Sequence, residues 1–212
     1  MNRVLVVGSI NMDMVVEAAR FPAPGETISG RRFSTCAGGK GANQAVAARR
    51  LGAQVSILAC VGDDPFGHSL RAGLEREGVD TCYVRTVTQV ATGVASILLS
   101  QGENSIVVVP GANYELSEAD VLAAEDAFAA ADVILCQLEI PLAAVEAAGA
   151  LAFRHRKPFL LNPAPAIRLP EKIHLQTTLL TPNQHELGIL FPSAGTGGEG
   201  WRQVLVNNAH RL

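Results

Sequence analysis

The chain has 212 residues, 48% of them hydrophobic and 17% charged, with a formal net charge of −3. That is enough apolar material for a sizeable core, while the lack of a basic block and an aromatic content of 5% argue against nucleic acid as a partner. No apolar run reaches membrane-spanning length, the N-terminus runs straight into a strand-like segment, and the four cysteines form no C-x-x-C pair; no membrane partner and a reduced, cytoplasmic setting are expected.

In chain order, a first strand is expected over 4–7, ending at Gly8. Two β-like stretches, 14–18 and 27–33, flank the turn-rich 21–25. The run Cys36-Ala37-Gly38-Gly39-Lys40-Gly41-Ala42-Asn43 then opens into an Ala-rich helical pattern over 42–51. The first N–H groups of such a helix lack partners within it and its dipole makes that end slightly positive, which suits hydroxyls or an anion. The alternative is a strand–helix connection whose glycines serve turn geometry alone.

A strand is expected over 55–60 and a helix over 67–76. Next, 92–100 and 105–109 are β-rich around Gln101-Gly102-Glu103-Asn104, a hairpin turn by composition. A helix over 118–130, a strand over 133–138, a helix over 142–155 and strands over 159–161 and 178–180 complete the pattern. Several strands are continuously apolar, as strands buried on both faces are. The alternation predicts an α/β fold, a parallel sheet sandwiched by helices. The two β pairs with no helix between them, about 14–33 and 92–109, predict a small antiparallel β lid outside it.

Polar residues collect after these strands. Asn11 and Asp13 follow the first, Asp63 and Asp64 the strand over 55–60, Glu139 the strand over 133–138, Asn162 the strand over 159–161, and Thr181 and Asn183 the last. In an open α/β sheet, ligands bind outside the carboxyl ends of the strands. Carboxylates accept from hydroxyls and amides both donate and accept, so this set suits a polyol. Each residue also has a plainer reading. Asp63 or Asp64 before Pro65 is placed to cap a helix, Asn162 before Pro163 to shape a turn, Asn183 to cap the segment carrying Glu186, and Lys40 to be a solvated surface lysine. Asp13 and Glu139 are harder to explain so, because a carboxylate beside a buried strand needs a partner. No metal-ligand spacing stands out among the five histidines, and neither G-x-x-x-x-G-K-[ST] nor G-x-G-x-x-G after the first strand occurs. A P-loop ATPase and a dinucleotide-dependent oxidoreductase are therefore disfavoured.

Taken together, Gly8-Ser9-Ile10-Asn11-Met12-Asp13, Phe21-Pro22-Ala23-Pro24-Gly25-Glu26-Thr27 and Gly38-Gly39-Lys40-Gly41-Ala42-Asn43-Gln44-Ala45 resemble the ribokinases of the PfkB-type carbohydrate kinase family. Val61-Gly62-Asp63-Asp64-Pro65-Phe66-Gly67, Gly111-Ala112-Asn113, Gln137-Leu138-Glu139, Leu161-Asn162-Pro163-Ala164-Pro165 and Thr181-Pro182-Asn183-Gln184-His185-Glu186 continue the likeness in order to about residue 190. The resemblance implies one ribokinase-like domain over 1–191, followed by an atypical Gly-rich tail over 192–212. It implies transfer of the γ-phosphoryl of ATP to the 5-hydroxyl of ribose, with Mg²⁺ and a monovalent cation, K⁺, whose site lies outside this chain. It places Asn11, Met12, Asp13, Gly39, Lys40, Gly41, Ala42, Asn43 and Glu139 at the sugar. Asn183 would lie near the ATP phosphates and Glu186 in the Mg²⁺ and phosphate region. The lid would also join two copies into a homodimer. The family's Gly-Ala-Gly-Asp motif, which carries the catalytic base, does not occur before Leu212. A C-terminally truncated form with no catalytic residue of its own is therefore expected. A non-catalytic sugar-binding remnant, or a kinase for deoxyribose or another pentose, stands as the alternative.

Overall fold

The computed structural model describes residues 2–190. It opens with β1 (Arg3–Val7), β2 (Asn11–Ala18), β3 (Gly30–Gly38), α1 (Lys40–Arg50), β4 (Gln54–Gly62), α2 (Pro65–Arg76), β5 (Val84–Val87), β6 (Gly93–Ser100) and β7 (Glu103–Val109). A short 3-10 turn (Gly111–Glu115) leads to α3 (Glu118–Ala123), α4 (Glu125–Ala130), β8 (Val133–Cys136), α5 (Leu142–Arg154), β9 (Phe159–Leu161), α6 (Glu171–Gln176), β10 (Leu179–Leu180) and α7 (Gln184–Leu190). The expected tail over 192–212 lies outside the described residues.

Six strands form one sheet in the order β10-β9-β8-β1-β4-β5, and every pairing in it is parallel. The continuous apolar run of β1 explains its central place. Leu5 and Val7 face a core shared with α3, α4, α5 and α6, while Val4 and Val6 face a second core under α1 and α2. Side chains alternate across a strand, so only an all-apolar segment can be buried on both sides. The expected helical sandwich is what forms.

α2 begins where its sequence signals place it. Asp64 accepts from Gly67 N at 2.8 Å and Pro65 follows at the first helical position. Asp64 also accepts from Thr92 N and Thr92 Oγ1, so it is a structural residue that fastens α2 to the start of β6. The helix expected over 118–130 is two short helices, bent at Ala124. The bend turns Val121, Ala124 and Phe128 into one core. The strand expected over 133–138 ends at Cys136, and the polypeptide beyond it leaves the sheet toward the site.

The second sheet has the order β3-β2-β6-β7. β2–β3 and β6–β7 are antiparallel, as expected of the lid. β2 and β6 pair in parallel, because the chain crosses the central sheet between them. β2, β3 and β7 are longer than the sequence suggested, while β6 is one residue shorter. β2 starts at Asn11, and β3 runs on through Cys36-Ala37 to Gly38. The β6–β7 connection is a two-residue turn in which Gln101 and Gly102 both have positive φ, at 52° and 83°.

This arrangement fixes the site. β1 passes into β2 through Gly8-Ser9-Ile10 alone, and β3 passes into α1 through Gly39 alone. The two sheets therefore meet at one corner, where the carboxyl end of β1, the first residues of β2 and the N-terminus of α1 lie together.

Candidate functional site

Gly39 is the whole of the loop between β3 and α1, with φ 90° and ψ 132°. An L side chain rarely adopts that φ, and a Cβ there would stand 2.7 Å from Asn11 N. The Gly-rich run is thus the end of a strand, one residue, and the start of a helix, rather than an open loop.

The first turn of α1 already has its partners. Lys40 N donates to Glu139 Oε2 at 3.1 Å, Gly41 N to Ser9 Oγ at 3.3 Å, and Ala42 N to Ser9 O at 2.9 Å. Asn43 N donates to Gly39 O at 2.9 Å. The anion that the positive end of this helix attracts is the carboxylate of Glu139, contributed by the chain itself. The first-turn amides of α1 are therefore not free. This corrects the expectation drawn from the sequence.

Glu139 also accepts from Ser9 Oγ at 2.5 Å, and Lys40 Nζ approaches its other oxygen at 3.9 Å. Asp13 lies on β2 opposite Cys36. Its carboxylate covers Gly38, where a Cβ would lie 2.3 Å from Asp13 Oδ2. Burial, and then the negative charge of Glu139, push the Asp13 carboxyl above the ordinary carboxylate range. The two carboxylates, from β2 and from the exit of β8, are therefore close enough to feel each other's charge.

Asn11 is almost completely buried, at 3% exposure, and its Oδ1 accepts from Asn113 Nδ2 at 2.7 Å. Asn11, Lys40, Asn113, Glu139 and Glu186 all line a cavity of about 460 Å³, closed on one side by Ile106 and Val108 of the lid strand β7. A cleft of about 670 Å³ near Arg3, Gln54 and Asp80 is larger, but it lies at the amino ends of the strands and none of these polar residues reaches it. In open α/β sheets ligands bind at the carboxyl ends, so the smaller cavity is the candidate site.

The remaining expected residues fall as follows. The Met12 side chain packs in the α1-side core, on the opposite face of β2 from Asn11 and Asp13. Gly41 and Ala42 are buried in the first turn of α1, while Asn43 is exposed on it. Asn183 and Glu186 cap α7 reciprocally: Asn183 Nδ2 and Asn183 N each donate to the Glu186 carboxylate, and Glu186 N donates to Asn183 Oδ1 at 2.8 Å. Asn162 donates to Thr181 O at 3.1 Å and ties β9 to β10.

Sequence reasoning passed over two residues that organise the corner. Ser9 is 0% exposed and Asn113 is 1% exposed. Each stood inside a quoted motif, and neither is of a type that draws attention alone. Ser9 offered one signal, a small polar residue just after a buried strand, since a buried hydroxyl must be bonded to something; Asn113, in the turn after the exposed β7, offered none.

Comparison with known proteins agrees with this fold. The model of the pfkB family of carbohydrate kinases matches residues 1–209. A ribokinase of Bacillus subtilis is 46% identical over 192 residues, which are 91% of this chain and 66% of the relative. One from Haemophilus influenzae is 44% identical over 186 residues, 87% of this chain and 61% of the relative. Among solved structures, Arabidopsis thaliana ribokinase complexed with ribose and ATP superposes with a TM-score of 0.87 at 31% identity, covering 99% of this chain and 69% of that one. The chain thus spans 61% to 66% of the length of these two curated relatives.

Proposed function

We propose that this chain, which belongs to the pfkB family of carbohydrate kinases, holds D-ribose for phosphorylation of its 5-hydroxyl by ATP. The observation that carries this reading is the convergence of Asn11, Asp13, Lys40 and Glu139 where the two sheets meet. Asp13 and Glu139 accept from sugar hydroxyls, Asn11 and Lys40 donate, and Gly39 and Asn43 flank them. Gly41 and Ala42 contribute through the position of α1, and Met12 through the backbone of β2. Phosphoryl transfer depends chiefly on positioning and on charge stabilisation, so a rigid sugar cradle is a large part of the catalyst.

Asn183 and Glu186 mark the phosphate end of the cavity. Mg²⁺ bound with ATP supplies charge neutralisation there. Its fit to the described residues is limited: no group of three metal-binding side chains occurs among them, and the Glu186 carboxylate is engaged by Asn183. Mg²⁺ binds largely through nucleotide phosphates and water, with one or two carboxylates, and Glu186 is the one such group here. No described residue is assigned to K⁺ or to the catalytic base.

The lid supports association of two copies. β7 is exposed along its whole length, with Val107 at 63%, and Phe33 of β3 is 60% exposed. An apolar edge sheet of this kind is a liability unless covered. Four unbridged cysteines, two buried and two exposed, agree with a reduced, cytoplasmic setting.

A second pentose is the specific alternative, because a deoxyribokinase of Salmonella typhi is 38% identical over 88% of this chain. Purified protein should be given ATP, Mg²⁺ and either D-ribose or 2-deoxy-D-ribose, with product phosphate located by mass spectrometry and sugar binding measured separately. Transfer to ribose supports the proposal, and preference for the deoxy sugar supports the alternative. Binding without transfer identifies a sugar-binding remnant. A folded chain that neither binds nor phosphorylates a pentose refutes all three.

A further inference from the structure

We infer that Asn113 is a positioning residue that fixes the side-chain amide of Asn11, so that Asn11 offers the sugar an N–H donor and no acceptor. This rests on the reading that Asn11 meets the pentose. The inference follows from a chain of hydrogen bonds anchored in the backbone.

Ile10 N is a donor whose identity is not in question. It donates to Asn113 at 2.8 Å, so the amide atom it meets is Oδ1. The other amide atom of Asn113 is then Nδ2. It lies 3.2 Å from Ile10 O and 3.0 Å from Pro110 O, two carbonyl oxygens that can only accept. That same nitrogen meets Asn11 at 2.7 Å, so Asn11 turns its Oδ1 inward. The Nδ2 of Asn11 is left over, and it makes no hydrogen bond among the described residues. Asn11 lines the candidate cavity.

Reversing Asn11 would set nitrogen against nitrogen where Asn11 is 3% and Asn113 is 1% exposed. Unpaired polar contacts of that kind are costly when buried. Gly93, the first residue of β6, packs its backbone directly against the pair. A Cβ there would be 2.3 Å from both Asn11 Oδ1 and Asn113 Nδ2. Pro110 follows β7, so the lid and the orientation of Asn11 share one anchor.

The consequence is selectivity. Asn11 takes a ligand oxygen that accepts, and the Asp13 carboxyl, two residues on, takes a hydroxyl that donates. A polyol satisfies both at once. A ligand presenting an ammonium group toward Asn11 satisfies neither the geometry nor the chemistry.

Side-chain amide hydrogen exchange, read by ¹⁵N-edited NMR on the full chain with and without D-ribose, tests this. The Asn113 amide protons should be protected in both states. The Asn11 amide protons should exchange freely in the unliganded protein and slow by at least tenfold with ribose. Asn11 amide protons already protected to the Asn113 level in the free chain would overturn the inference. If ribose perturbs nothing in the spectrum, the pentose reading fails, while the free-chain exchange still decides the orientation. In a parallel arm, Asn11→Ala and Asn113→Ala should each weaken ribose binding about tenfold, and the double variant should bind no more weakly than Asn11→Ala alone. Losses that multiply to about a hundredfold would show that Asn113 acts independently of Asn11.

Discussion

Ser9 Oγ donates to Glu139 Oε2 at 2.5 Å, joining residues 130 positions apart in the chain. The same oxygen accepts from Gly41 N at 3.3 Å. One buried hydroxyl thus links the exit of β1, the start of α1 and the exit of β8. Glu139 is held at the candidate site by this link, by the backbone of Lys40 and by a longer ion pair with Lys40 Nζ at 3.9 Å.

Ser9→Ala should therefore act on both stability and binding. It leaves Gly41 N without that acceptor in a buried setting and frees one Glu139 oxygen. A buried unsatisfied group costs about 1–3 kcal/mol, and a loss of that size in denaturant melts is expected. Ribose affinity should fall about tenfold, equivalent to ~1.4 kcal/mol, because Glu139 loses its orientation. Calorimetry and urea unfolding on the same preparation check both.

Asp13→Asn should separate stability from binding. The Asp13 carboxyl is pushed up by burial and by Glu139. A carboxyl raised in the folded state binds more protons there than in the unfolded chain. Its contribution is therefore fully present below the unfolded value of 3.8 and is lost as pH rises through the raised folded value. At neutral pH the variant should melt higher than the parent, with the advantage disappearing as pH is lowered toward 4. Ribose binding by the parent should weaken as Asp13 protonates, at a pH above the ordinary carboxylate range. Thermal melts and titrations across that interval read both effects.

The parallel sheet was legible because its strands are continuously apolar, and a segment such as Val4-Leu5-Val6-Val7 has no other stable place. The two carboxylates proposed to meet the sugar stood out for the converse reason: Asp13 and Glu139 stand next to buried strands without a local partner. Other features depend on distant sequence. β5 has only four residues and is specified by pairing with Ala59–Gly62 of β4. The parallel β2–β6 pairing depends on the crossover, not on either strand. The satisfied N-terminus of α1 could not be foreseen, since its partners Ser9 and Glu139 lie far away in the chain.

The lid should make the protein a dimer. Val107→Glu together with Val109→Glu places charge on two exposed positions of β7, at 63% and 53% exposure, without touching the core. Sedimentation should show a dimer for the parent and a monomer for the variant at micromolar concentration. A parent that stays monomeric while folded would contradict the assignment of the lid as an interface.

The α7 cap should be structural at the sugar's expense of nothing. Asn183→Ala removes both side-chain bonds with Glu186 and leaves Asn183 N donating to its carboxylate. Loss of such a cap costs about 0.5–2 kcal/mol. Unfolding should shift by that amount while ribose affinity changes less than about twofold. A larger loss of ribose binding would place Asn183 at the sugar rather than at the phosphate end.

The most direct test of the account is titration calorimetry of D-ribose into the purified 212-residue chain. One saturable ribose site per chain is predicted, and it should be abolished by Asp13→Asn in protein that melts no lower than the parent. A folded parent that takes up no ribose, or an Asp13→Asn variant that binds it equally well, would contradict the claim that this corner is a pentose site.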